Sequence, residues 1–286
     1  MENKGMNIDK KSSLTTNNTL FSKSSSFIKS KSFNLNMTDG VLIPSKSNQG
    51  VFSSWRIAFV GALALLSALI IFSPEVYRKI FLVCIQGIPV TFECTIFAII
   101  FAIIIGVISG LQSVSQKNFV RTISGVYVQL IRGIPLLVQL IFIYYAVGKF
   151  LHIQGMFAAI VAMAICFGAY ISEIVRAGIE SIPKGQMEAA IALGMSRRQA
   201  FTDIILPQTI KVILPAISNE FISMLKDSSL VSAIALSDIL RRGREYISRT
   251  FLSLETMLIV ALIYLIITLM LSWLVGKLEE RLKKNG

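Results

Sequence analysis

Few residues in this chain can do chemistry, and their types narrow what that chemistry is. His152 is the sole histidine, so no HExxH protease site can form, and Cys84, Cys94 and Cys166 lack the paired spacing of a zinc set. There is no GxxxxGK[ST] phosphate loop, which removes the usual route by which a polypeptide binds ATP itself. What remains is charge. One group, Glu188, Arg197, Arg198 and Asp203, lies in a polar, helix-prone segment set between strongly apolar stretches. A second group, Glu93, Arg132, Glu173, Arg176, Glu220, Lys226 and Asp227, lies within or beside those stretches. Ionisable groups there are costly; they mark a pathway, an ion pair between helices, or a head group that snorkels to the interface. Charge-assisted recognition, not covalent catalysis, is the chemistry these residues offer.

The elements that must position them span a membrane. At 54% hydrophobic and 15% charged residues, with a mean hydropathy of +0.69, the chain is too apolar for a soluble domain of 286 residues. Its apolar residues fall in long uncharged runs, which favours helices over the alternating pattern of a membrane β-barrel. The fold class expected is all-α, a polytopic membrane helical bundle of about six spans. Trp55-Arg56 introduces 18 uncharged residues from Ile57 to Pro74, read as an uncleaved span. Further spans are expected at about 86–112, 125–148 and 153–178, and a final uncharged run covers 256–276. The stretch from Leu206 to about Leu225 reads as a weaker, proline-interrupted span whose Lys211 and Glu220 argue for burial among other helices. The segment SLVSAIAL at 229–236 is expected to dip into the protein without crossing. Residues 1–52, rich in Ser, Lys and Asn, read as a disordered tail. The +12 charge comes with no nucleic-acid-type basic motif or stacking platform, so nucleic acid is not an expected partner. Membrane topology accounts for it better: with both termini in the cytoplasm, 18 of the 28 Lys and Arg residues lie on the cytoplasmic side and 8 outside.

Locally, Ser181-Ile182-Pro183 starts a helix that runs through Glu188 to Leu193, Gly194 permits a turn, and Ser196 caps a second short helix. Ala189 and Ala190 leave room for close approach by another protein, with Glu188, Arg197 and Arg198 supplying charged contacts. In Arg132-Gly133-Ile134-Pro135 a broken helix would expose backbone groups to a polar cavity.

The pattern Glu-Ala-Ala, three residues, Gly, nine residues, Ile-x-Leu-Pro, filled here by Glu188, Ala189, Ala190, Gly194, Ile204, Leu206 and Pro207, resembles the EAA motif of ABC importer permeases. TFECT at 91–95, YVQLIRGIPLLVQL at 127–140 and FISMLKDSSLVSAIALSDIL at 221–240 resemble, more narrowly, the permeases for polar amino acids. The resemblance covers residue 80 onward. It implies a five-span permease domain over 80–278 with a coupling segment at 180–207, preceded by an extra span at 53–76 and followed by a basic tail at 279–286. It also implies a non-catalytic subunit of the bacterial inner membrane, paired with a second permease subunit. Cytoplasmic ATPase subunits would carry the ATP and Mg, so no cofactor or metal is expected in this chain, and an extracytoplasmic binding protein would deliver the amino acid. Glu188, Ala189, Ala190, Gly194, Arg197 and Arg198 are the expected ATPase-coupling residues. Arg132, Gln139, Glu220, Lys226 and Asp227 are candidates for the substrate pathway, each with interhelical pairing or chain turning as its structural alternative. The competing reading is a self-sufficient ion-coupled transporter or channel using Glu93, Glu173 and Glu220.

Overall fold

The computed structural model describes residues 54–152 and 155–284, and the expected tail at 1–52 lies outside the described residues. Among the described residues every regular element is helical. Helix α1, Ser54–Phe72, is followed by a π-turn at Pro74–Arg78, α2 at Lys79–Ile85 and the long α3 at Ile88–Ser113. Next come α4, Asn118–Gly133, and α5, Leu136–Phe142, which continues through a π-turn to α6, Gly148–Leu151. Helix α7 is Met156–Glu180, α8 is Lys184–Ala192 and α9 is Arg197–Ala200; α10 is Leu206–Asp227, α11 Ile239–Thr250 and α12 Ser253–Lys284. Among the described residues five stretches are long and apolar enough to cross a membrane, and the bent pair α4 and α5–α6, taken as one span, makes a sixth.

Helix α7 is the centre of the bundle. Its apolar stretch is 72% buried, against 22% for the stretch that contains α10. Small residues explain how α3 lies so close to it. A Cβ on Gly106 would sit 2.5 Å from Ile171 Cγ2, and one on Gly110 would sit 2.6 Å from Val175 Cβ. Removing those methyls lets two backbones pack in a seam where lipid offers no hydrophobic drive of its own. Ala98, Ala102, Ala159 and Ala162 extend the same core.

A second core joins α1, α2, α11 and α12 around Ile80, Cys84, Ile239 and Ile263. Its seal is at Gly87, where an added Cβ would lie 2.3 Å from the carbonyl carbon of Asp238. Asp238 caps α11: Oδ1 accepts from Arg241 N at 2.9 Å, and Oδ2 accepts from Leu240 N and Tyr264 Oη, each at 3.2 Å. Burial pushes its carboxyl up to about 6, with those hydrogen bonds holding against a larger rise. Helix α1 buries Ala62 and Leu66 and is pinned to α12 by Trp55, whose Nε1 donates to Leu269 O at 2.9 Å and whose ring stacks on Trp273 at 6.4 Å.

Two sequence expectations change here. Helix α10 is continuous from Leu206 to Asp227 with Pro215 inside it, not interrupted by that proline. A single proline removes one ladder bond, and the helix can continue where its neighbours hold it. Glu220 is only half-buried within this chain, so the polar side of α10 is not covered by its own bundle. The 228–234 segment is a short 3₁₀ helix with Val231 and Ile234 buried, too short to span a membrane by itself.

Candidate functional site

The site begins where a span breaks. Helices α4 and α5–α6 meet at 99° across Gly133, Ile134 and Pro135. Proline disfavours the helical region for the residue before it, and Ile134 is extended at φ −109°, ψ 130°. Pro135 also lacks the N–H that a continuous helix would give to Ile131 O. Gln139, 6% exposed, supplies a donor in its place: Nε2 lies 2.8 Å from Ile131 O and 2.8 Å from Ile134 O.

On the α4 side of the break, Arg132 enters a polar recess of about 450 Å³ between α4, α7 and the end of α3. Its guanidinium lies 5.1 Å from the centre of the Tyr170 ring, and Nη1 is 3.6 Å from Glu173 Oε2. Arg176 grips Glu173 with two bonds, Nε to Oε1 at 3.1 Å and Nη2 to Oε2 at 2.9 Å, and donates from Nη1 to Glu180 Oε2 at 2.7 Å. Spacings of three and four residues put Glu173, Arg176 and Glu180 on one face of α7. Ser113, Arg121, Ser124 and Gln129 complete the polar lining. These charges are partly solvated, so each pair contributes on the order of 0–1 kcal/mol to stability. Their arrangement suits binding or passage of a small solute carrying both charges, with guanidinium donors for a carboxylate and carboxylate acceptors for an ammonium.

Helix α7 leads directly into the second half of the site. Pro183 is the residue immediately before α8, with Lys184 first inside it. At the far end Gly194 adopts φ +87°; Met195 N donates to Ala190 O at 3.1 Å and Gly194 N to Ile191 O at 2.9 Å, the paired bonds of a Schellman stop. Ser196 then caps α9 reciprocally with Gln199: its Oγ accepts from Gln199 N at 3.3 Å, and Gln199 Oε1 accepts from Ser196 N at 3.0 Å. Glu188, Ala189, Gly194, Arg197 and Arg198 are exposed along this segment. Ala190 is not: at 1% exposure it is buried where α8 meets the following turn, as is Ala200. Buried in this way, it offers no outward surface.

Of the five pathway candidates, the structure brings only Arg132 into the lining of the recess. Gln139 is turned to the break, Glu220 lies half-buried on α10, and Lys226 and Asp227 are exposed at the end of that helix. Tyr170 was missed, although its spacing of one turn from Glu173 was available in the sequence.

Residues 102–284 match the family described as binding-protein-dependent transport system inner membrane component. The chain belongs to this family. As such a component it is a multi-pass inner-membrane protein. It is 36% identical over 203 residues to the arginine transport system permease protein ArtQ of Bacillus subtilis, covering 70% of this chain and 93% of that one. It is 41% identical over 176 residues to the glutamine transport system permease protein GlnP of Escherichia coli, covering 58% and 80%. Among solved structures, an amino acid ABC transporter crystallised with histidines superposes with a TM-score of 0.67 at 38% identity, over 73% of this chain and 97% of that one. The MetNI methionine ABC transporter, at 18% identity and a TM-score of 0.62 over 70% and 96%, shares the fold. None of these matches supports the ion-coupled alternative.

Proposed function

We propose that this inner-membrane component is the amino acid permease subunit of an ATP-driven importer. It forms the pathway with a second permease subunit, receives its amino acid from an extracytoplasmic binding protein, and is driven by separate ATPase subunits that hold the ATP and Mg. The observation that carries the reading is the ladder Arg132–Glu173–Arg176–Glu180, which lines a recess at a broken span and runs down α7 into the exposed segment at 181–207. The names of the relatives favour an amino acid as the solute. The excess of basic residues favours both termini, and the 181–207 segment with them, on the cytoplasmic side.

In this reading Glu188, Ala189, Gly194, Arg197 and Arg198 face the ATPase, with Ala190 buried behind them. Arg132 lies on the solute's route. Glu220, Lys226 and Asp227 line the side of the pathway shared with the second permease subunit. That assignment is supported by the exposure of Lys226 and Asp227 at the end of a candidate span, where lipid is a poor environment for charge. The permease domain covers 80–278, and α1 is an addition to it.

The test is copurification of the tagged chain from its own membranes in gentle detergent, followed by ATPase assays with each amino acid. A stoichiometric P-loop ATPase whose turnover rises with a binding protein and an amino acid is the expected result. A chain that purifies alone and accumulates solute in liposomes on an ion gradient would overturn the reading.

A further inference from the structure

Carbonyls lose their helical partners wherever a span breaks, and in lipid each such loss must be made good by protein. At the 133–135 break, Pro135 N cannot donate to Ile131 O, and Val138 N donates to Pro135 O at 3.0 Å instead of to Ile134 O. Ile134 O is left without its helical donor and Ile131 O keeps only a long 3.4 Å bond from Ile134 N, and these are the two acceptors that Gln139 Nε2 reaches at 2.8 Å. Both neighbours are carbonyl oxygens, so the amide can present only its NH₂ group to them. The cost of this orientation is visible: Gln139 Oε1 is buried and has no hydrogen-bond partner. Leaving a buried acceptor unmet costs on the order of 1–3 kcal/mol, which the two bonds from the NH₂ end of the amide offset.

We propose that Gln139 is the positioning residue of the broken span: its amide replaces the backbone donor that Pro135 lacks and sets the angle at which α4 delivers Arg132 to Tyr170 and Glu173. The role differs from solute contact, since the amide faces backbone and not the recess. It is specific to a side chain with two donors and this reach. Leucine keeps the volume and loses both bonds. Glutamate keeps the reach: protonated, it has one O–H to give; ionised, it has none and sets its charge against two carbonyl oxygens.

The experiment measures the corner itself, in the full chain in lipid nanodiscs, and needs neither solute nor ATPase. Spin labels are attached through unnatural ketone side chains at positions 119 and 150, both exposed, which leaves the three buried cysteines in place. Helix α4 is a rod about 24 Å long, so a hinge of roughly 20° at the corner displaces its far end by about 8 Å. Wild type is expected to give one narrow distance distribution at every pH. Gln139→Leu is expected to lose it. Gln139→Glu is expected to give the wild-type distribution at pH 5 and to lose it reversibly by pH 10, a range that covers buried glutamates, which titrate as high as about 8–9. The titratable and charged groups nearby, Cys166 on α7, Arg132 on α4, and Glu220 and Asp227 on α10, are common to both proteins, so wild type controls for them. If Gln139→Leu fails to fold, the reversible response of Gln139→Glu still decides the matter. A glutamate variant with no pH response, or one that wild type shares, overturns the proposal, and neither result bears on whether the chain is an importer subunit.

Discussion

Replacing Gly194 tests whether the turn between α8 and α9 carries force or merely joins them. A Cβ built there meets nothing within 4 Å, so a substitution adds no clash and its whole penalty comes from φ +87°. For an ordinary L-residue the left-handed region costs roughly 1–2 kcal/mol, with β-branched side chains at the upper end and asparagine well below it. The chain can absorb that strain or relax it. Relaxation would break the bonds from Met195 N to Ala190 O and from Gly194 N to Ile191 O, and α8 would swing relative to capped α9. Since about 1.4 kcal/mol is tenfold in rate, Gly194→Val is expected to lower coupled turnover about tenfold or more, Gly194→Ala a few-fold, and Gly194→Asn by less than about twofold. The assay is ATP hydrolysis and amino acid uptake by the assembled transporter in proteoliposomes, with copurification of the ATPase as the control for docking. Valine behaving like glycine would refute the argument from φ. Equal damage from all three substitutions would refute it too, because crowding of the partner, not backbone strain, would then be at fault.

Two further outcomes follow from packing and burial. Gly106→Ala drives a methyl to within 2.5 Å of Ile171 and should destabilise the protein by about 1–3 kcal/mol in detergent thermal unfolding, whereas Gly125→Ala, with nothing within 4 Å, should stabilise α4 by about 0.5–1 kcal/mol; similar effects at both sites would contradict the close seam. Asp238, raised from 3.8 to about 6, favours its protonated form in the fold, so its contribution is full below pH 3.8 and is lost as pH rises through 6. Melting temperature should therefore fall between pH 4 and 7 by the equivalent of up to roughly 3 kcal/mol, and Asp238→Asn should flatten that slope; an unchanged slope would mean the carboxyl is ionised throughout.

The sequence was most informative where local rules dominate. The Ser196 cap, the stop at Gly194 and the break before Pro135 all depend on residues within a few positions of one another. It was least informative about which neighbour a residue meets. Nothing local says that Arg132 lies over a ring 38 positions away, or that Ala190, as small as Ala189 beside it, turns inward. Nor does anything local say that Asp238, a carboxylate next to three arginines, is buried; Gly87 and Tyr264 come to it from distant parts of the chain. Pro215 shows the reverse error: a strong local signal for interruption is overridden by the length of helix on either side.

The charged ladder on α7 and the exposed segment after it share one unbroken helix as far as Glu180, about 10 Å beyond Glu173. Influence along such a rod obeys thermodynamic reciprocity. By whatever factor nucleotide on the proposed ATPase alters affinity in the recess, a solute in the recess must alter nucleotide affinity by the same factor. A pair of binding titrations closes that cycle without any transport being measured. The help that nucleotide gives to solute binding and the signal that solute returns to the nucleotide site are then one coupling free energy, read from opposite ends of α7.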